Sequence, residues 1–210
     1  IIIIKMSKGN LYIGCMNMRG TRSYRPDNCI ILNCTSMQRK DSIERKELSP
    51  MSPVKGTYRG FWNFEHYWQS GKVFDNMTKK DIIEHIEWWK KLEIPKRRCP
   101  KYKNVPVLYS MFSDNIKRNY IDSRKEIYLP EYYELVKNTK TIEKYKKLLD
   151  QGQNIIIYDF DGPRSEENDP LTYRATKSFI KKKLNDDRTP FGHGYIVALI
   201  LLDIDYQDIL

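Results

Sequence analysis

The stretch NIIIYDFDGPR, Asn154 to Arg164, constrains this chain more than any other. Three consecutive β-branched residues, Ile155, Ile156 and Ile157, suit a pleated, covered surface, so the run predicts a strand buried in a sheet. It then empties into Asp159, Asp161 and Gly162. Two carboxylates thus stand at the carboxyl end of a buried strand, where loops usually place chemistry.

The rest of the chain reads mainly as helix. NCIILNCTS, Asn28 to Ser36, is a further strand, and the prolines of ELSPMSP make it an extended loop. From Trp62 to Phe74 the pattern turns helical. TKKDIIEHIEWWKKL predicts a second helix with Thr78 as N-cap and Ile82, Ile83, Ile86 and Trp89 on its inner stripe. Pro95, Pro100 and Pro106 keep the next segment irregular. RKEIYLPEYYELVKN and TIEKYKKLLDQG read as helices, the second ending on Gly152. PLTYRATKSFIKKKLND follows as a helix with Pro170 in its first turn, and GHGYIVALILL closes the fold as a core helix. The expectation is an α+β fold: one mainly helical domain over residues 1–210 with a few short strands, residues 1–27 forming an irregular N-terminal extension.

Composition narrows the class. At 210 residues, 40% hydrophobic and 30% charged, the chain can bury a real core and is not of disordered type. Its heavy use of Lys, Ile, Asn and Tyr, with 15 tyrosines, suggests an AT-rich genome such as that of a large DNA virus. The net charge of +10 favours phosphate-bearing partners. Between Lys90 and Lys103 the bases Lys90, Lys91, Lys96, Arg97, Arg98, Lys101 and Lys103 meet only Glu93. That segment reads as a solvated basic loop and as the surface through which nucleic acid would bind. Cys15, Cys29, Cys34 and Cys99 form no C-x-x-C pair, which points away from zinc and disulfides and toward a reducing, cytoplasmic location. The opening IIIIK is too short for a signal peptide or a membrane span, and Met6 reads as the natural start.

IIIYDFDGPR resembles the first motif of haloacid-dehalogenase-type phosphatases, in which the first Asp attacks phosphorus. Few residues follow Asp161, however, and most of them read as two helices. Pro163 also stands where that family has Thr or Val after the glycine. The phosphatase is a minor alternative.

NFEHYWQSGKVF, Asn63 to Phe74, is the second informative stretch. On one helix at about 100° per residue, Glu65, Gln69 and Lys72 share a stripe flanked by Phe61, Trp62, Trp68 and Val73. A carboxylate, an amide and an amine bordered by aromatics suit a pocket that stacks a flat ring or a sugar. The bland alternative is an amphipathic helix burying Phe64, Tyr67, Gly71 and Phe74.

LSPMSP followed by GTYRGFWNFEHYWQSGKVF resembles the signature of the NADAR (YbiA-like) family, L-S-N-F, a spacer with a glycine, then E-H-Y-x-Q-x-x-K-F. Leu48, Ser49, Glu65, His66, Tyr67, Gln69, Lys72 and, offset by one, Phe74 carry the match. The family's late Y-W-G-D-G is similar to YDFDG through Tyr158, Asp161 and Gly162, and its last helix to HGYIVALIL through Gly194 and Tyr195. Asp159 stands where the family has Trp, Pro50 replaces the Asn of L-S-N-F, an Asn is missing before the last helix, and residues 75–157 match nothing in it.

This resemblance implies a YbiA-like fold and an N-glycosidase acting on ribosyl-phosphate or ADP-ribosyl compounds, such as ADP-ribosylated guanine or riboflavin-pathway intermediates. Glu65 would be the acid/base, held in aromatic walls that raise its pKa. Lys72 would trap the ring-opened sugar as a Schiff base or hold a phosphate. Asp161 would bind ribose hydroxyls or orient Lys72. Trp62 or Trp68 would stack on the base, with Gln69, Tyr158, Asp159 and Gly162 around the substrate and Arg22, Arg25 and Arg164 on phosphate. His66 and His193 read as packing residues. The reaction calls for no metal and no cofactor. The rival reading is a basic binding or structural protein of the same fold without activity.

Overall fold

The computed structural model describes residues 7–54 and 57–210. The IIIIK opening, Met6 and the Lys55–Gly56 part of the spacer lie outside the described residues. The fold is α+β, and the chain divides into two compact units. One is discontinuous, made of residues 1–49 and 129–210; the other is the contiguous stretch Pro50–Tyr128. No described helix is long and apolar enough to cross a membrane.

The discontinuous unit contributes β1 (Leu11–Cys15), β2 (Cys29–Asn33) and α1 (Ile43–Leu48) before the chain leaves it. The contiguous unit holds α2 (Phe64–Ser70), β3 (Lys72–Phe74), α3 (Lys79–Lys90), β4 (Val107–Ser110) and α4 (Tyr120–Ser123). A π-helical turn, Arg124–Tyr128, ends it. The first unit then resumes with α5 (Leu129–Val136), α6 (Lys140–Asp150), β5 (Asn154–Asp159), β6 (Thr172–Arg174), α7 (Lys177–Leu184) and α8 (His193–Leu201).

The strand expected from the isoleucine run is β5, and it is central. The sheet order is β2-β5-β1-β6, with β5 parallel to both neighbours and β6 antiparallel to β1. Ile155, Ile156 and Ile157 are fully buried. Strands covered on both faces read as unbroken apolar runs, because no position meets water. Helix α8 is buried along its whole length and packs against β1, β5, α5 and α6. A helix apolar all round has no face to offer solvent, so it can only sit inside. Helix α6 is capped by Thr139 and ends before Gly152, whose φ of 81° a Cβ would strain.

Three expectations need correction. The stretch 1–27 is not an irregular extension: it contains β1, which pairs with both β5 and β6. The helix expected from Pro170 begins only at Lys177, because Thr172–Arg174 pair with β1 and Thr176 caps Phe179 N–H at 3.2 Å. In the contiguous unit, Trp62 to Phe74 is not one helix. Helix α2 stops at Ser70, and Lys72–Phe74 turn into a strand paired with β4. Gly71 marks the break: a Cβ there would stand 2.4 Å from the Phe112 ring.

Helix α3 begins at a full capping box, Thr78 with Asp81. Its inner face is carried by His85 and Trp89; Ile83 is 64% exposed, and Ile82 and Ile86 are half-buried. The apolar stripe read from the isoleucines is therefore rotated, because the aromatic side chains at positions 85 and 89 take the core.

Candidate functional site

In the contiguous unit the motif residues are set by α2 and β3. Asn63 caps α2, accepting from His66 N–H at 2.8 Å, while its amide donates to the Met51 carbonyl at 3.0 Å. Glu65 N–H donates to the Pro50 carbonyl at 2.9 Å. The two halves of the motif are thereby joined at the start of one helix. On α2, Gln69 Nε2 donates to Glu65 Oε1 at 2.7 Å, the i,i+4 pairing the helix pitch provides. Lys72, one residue past the Gly71 break, puts its Nζ 5.8 Å from the centre of the Trp68 ring.

Gln69 and Lys72 open on a cavity of about 260 Å³. Phe74, His85, Trp89 and Tyr102 supply its aromatic lining, and Arg98 and Lys103 its further cations. Among the described residues no carboxylate is in its lining. The segment carrying Arg98 and Lys103 is anchored: Cys99 and Tyr102 are buried, and Lys101 Nζ reaches Asp81 Oδ1, in the first turn of α3, at 2.7 Å. That ion pair and the Thr78 hydroxyl hold the Asp81 carboxyl well below the usual carboxylate range.

His85 stands in the cavity wall. Burial lowers its pKa, the Gln69 carbonyl opposes that, and the Lys101 and Lys72 charges add to it. Its Nε2 lies 3.1 Å from Trp89 Nε1, which can only donate, and 3.3 Å from the Gln69 carbonyl oxygen, which can only accept, so the tautomer decides which of the two it serves. Among the described residues Nδ1 has no hydrogen-bond partner. His66 is fully buried against Trp62 and Trp89, and burial takes its pKa to about 4 against a weak opposing pull from the Ile94 backbone.

The other expected site residues lie in the discontinuous unit, where most are tied to their own fold. Tyr158 is buried, its hydroxyl donating to the Ser23 carbonyl at 2.9 Å, with the Arg22 guanidinium 5.4 Å from its ring centre. Asp159, 1% exposed, accepts from Gly194 N–H at 2.8 Å in the first turn of α8 and faces His193 Nδ1 at 3.4 Å. The N-cap Gly192 offers α8 no side-chain cap, so Asp159 does that work from the sheet. Gly162 is a packing residue: a Cβ there would come within 2.5 Å of the Gly14 carbonyl oxygen. Arg164 donates to the carbonyls of Asn168 at 3.0 Å and Phe160 at 3.4 Å. Asp161 is exposed. Burial pushes the Cys15 thiol up to about 11, Arg164 opposing and Asp159 and Asp161 adding to the push, so Cys15 is no nucleophile at neutral pH.

The residues assigned to catalysis therefore fall in both units: Glu65 and Lys72 in one, Asp161 in the other. The tryptophan in the cavity wall is Trp89, not Trp62 or Trp68; Trp68 is packed against Phe112 and Tyr128. The buried Asp159 carboxylate, bound to helix backbone, lacks the access a phosphatase nucleophile needs. Arg98 and Lys103 were visible in the sequence only as members of a charge run. The signal that could have singled them out is the apolar pair Cys99 and Tyr102 spaced among the bases. Among the described residues no group of three His, Cys, Asp or Glu side chains is arranged to hold a metal ion. Compared with family models, with curated proteins and with solved structures, the chain matches none.

Proposed function

We propose that the Pro50–Tyr128 unit is an N-glycosidase module for ribosyl-phosphate or ADP-ribosyl compounds. The observation that carries the reading is the joint placement of the E-H-Y-x-Q-x-x-K residues: Gln69 and Lys72 line one aromatic, cationic cavity, and Glu65 stands one hydrogen bond behind Gln69. In the reaction the bond between the anomeric carbon and the base nitrogen breaks, water supplies hydroxide to that carbon, and its proton ends on the nitrogen. Glu65 is the group that moves this proton. Lys72 offers an amine beside the sugar, either as nucleophile or as the cation that holds phosphate.

The test is release of guanosine and ADP-ribose from ADP-ribosylated guanosine by the purified chain. Glu65→Gln keeps the shape and removes proton exchange, so turnover should fall by roughly two to four powers of ten with the melting temperature unchanged. Borohydride trapping at Lys72 separates the covalent role from the electrostatic one. Undiminished turnover in Glu65→Gln ends this mechanism.

One observation favours a second reading, a binding protein without turnover. Glu65 Oε1 is engaged by Gln69, and among the described residues no carboxylate is in the lining of the cavity itself. Affinity for ADP-ribosylated guanosine without release of guanosine would select it.

A further inference from the structure

Cys99 differs from the other three cysteines in what surrounds it. Cys15 and Cys34 are fully buried and Cys29 is 7% exposed, all within the discontinuous unit. Burial pushes the three thiols up, Cys15 to about 11 and Cys34 well above the ordinary range. Such thiols are inert packing groups at neutral pH. Cys99 belongs to the contiguous unit, where it precedes a single 3₁₀ turn, Pro100–Tyr102, and its carbonyl accepts from Tyr102 N–H at 3.1 Å. That turn sets it in the wall between two cavities. One is the cavity of about 260 Å³ that Arg98 and Lys103 line; the other, of about 380 Å³, is lined by Glu84, Trp88, Pro100 and Lys101. His85 and Tyr102 share the wall with Cys99.

Two neighbours of the thiol point to a ligand. His85 is 4% exposed, and among the described residues its Nδ1 has no hydrogen-bond partner, whichever of Trp89 and the Gln69 carbonyl its Nε2 serves. A buried polar atom in that condition is stabilised by any group that brings it a donor or an acceptor. On either side of Cys99 in the chain, the exposed Arg98 and Lys103 line the smaller cavity. A guanidinium and an ammonium so placed draw anions in and hold carboxylates by charge-assisted hydrogen bonds.

We propose that Cys99 forms a mixed disulfide with a small anionic disulfide of the glutathione class, whose carboxylates rest on Arg98 and Lys103. In this step the Cys99 sulfur, as thiolate, attacks one sulfur of the incoming disulfide. A new S–S bond forms as the old one breaks. Cys99 is oxidised, and the departing sulfur is reduced and takes up the proton that Cys99 gave away, so no further oxidant enters. A free thiol of the same class reverses the exchange, which makes the adduct a reversible cap. The proposal stands apart from the glycosidase reading, because neither Glu65 nor Lys72 takes part in it.

The experiment treats the folded full chain with oxidised glutathione and follows it by intact mass and peptide mapping. One glutathionyl group should appear, on Cys99, and dithiothreitol should remove it. At low salt, oxidised glutathione should react at least about tenfold faster than cystamine, its cationic counterpart, each rate being taken relative to that disulfide's rate with free cysteine; this is the lower end of what electrostatic steering supplies. Added salt should shrink the preference. R98Q/K103Q should lose most of it and react with neutral hydroxyethyl disulfide as the wild type does. Cys99→Ser should take up no glutathionyl group, and peptide mapping of the wild type answers the same question should that variant misfold. The proposal is overturned if the first adduct forms on Cys15, Cys29 or Cys34, or if the folded chain stays unmodified while the urea-unfolded chain reacts. It is also overturned if cystamine reacts as fast as oxidised glutathione.

Discussion

The two units treat their motif residues in opposite ways. In the discontinuous unit, Tyr158 and Asp159 are consumed by the fold: one hydroxyl closes on Ser23, one carboxylate caps α8. In the contiguous unit, Gln69 and Lys72 line a cavity together with Phe74, His85, Trp89, Arg98, Tyr102 and Lys103. Two stretches that look equally chemical on paper thus differ in whether their side chains are closed into the packing or line a cavity. A buried polar group satisfied by backbone is architecture; polar and charged side chains lining a concave, aromatic space are capacity for a ligand.

The sharpest way to test the architectural side is Gly162→Ala. Its Cβ would meet backbone atoms of Gly14 and Cys15, which cannot swing aside, so the loss should reach the upper end of the about 1–3 kcal/mol that overpacking costs. A fall in melting temperature of several degrees is the readout. Next comes Asp159→Ala, which strands the Gly194 N–H inside and should cost about 2 kcal/mol in urea unfolding while leaving affinity for ADP-ribosylated guanosine intact. Normal stability with lost ligand binding in that variant would break the comparison outright.

A pH series sharpens it further. The His66 pKa of about 4 lies below its ordinary value, so protons favour the unfolded chain. The stability this group contributes is complete above pH 6.5 and lost as pH falls from 6.5 toward 4. Going from pH 7 to 5 should cost about 1–2 kcal/mol, and His66→Gln should flatten the change. In the other unit burial pushes Asp186 up, but Thr189 and Lys183 outweigh it and hold the carboxyl at about 2, so its contribution is lost only below about pH 3.8. The smallest effect belongs to Ile83→Ser, expected within about 0.5 kcal/mol because that side chain faces solvent.

Much of this was legible in the sequence. Three β-branched residues in a row could hardly be anything but a covered strand, and HGYIVALIL could only be a core helix. Thr78, Gly152 and the packing role of His66 followed from local rules. The failures share a cause. β1 is short, and it becomes a strand by pairing with residues more than a hundred positions away, which no local pattern reveals. Lys72–Phe74 kept helical spacing, yet the contact between Gly71 and Phe112 decided against the helix. The same holds for the candidate site. Gln69 and Lys72 could be read from their motif, whereas Arg98, Lys103 and His85 enter only through the turn that Cys99 and Tyr102 bury.

The sheet order has a consequence for how the chain is made. β1 and β2 are not neighbours; β5 lies between them, with Leu11 paired to Ile155 and Ile30 also to Ile155. On the ribosome, therefore, two apolar strands emerge early and wait for a third that is translated long afterwards. The Pro50–Tyr128 unit is contiguous and is translated whole in the interval. The nascent chain thus carries a pair of unpaired strand edges while Pro50–Tyr128 is being made, the kind of surface that chaperones shield from aggregation.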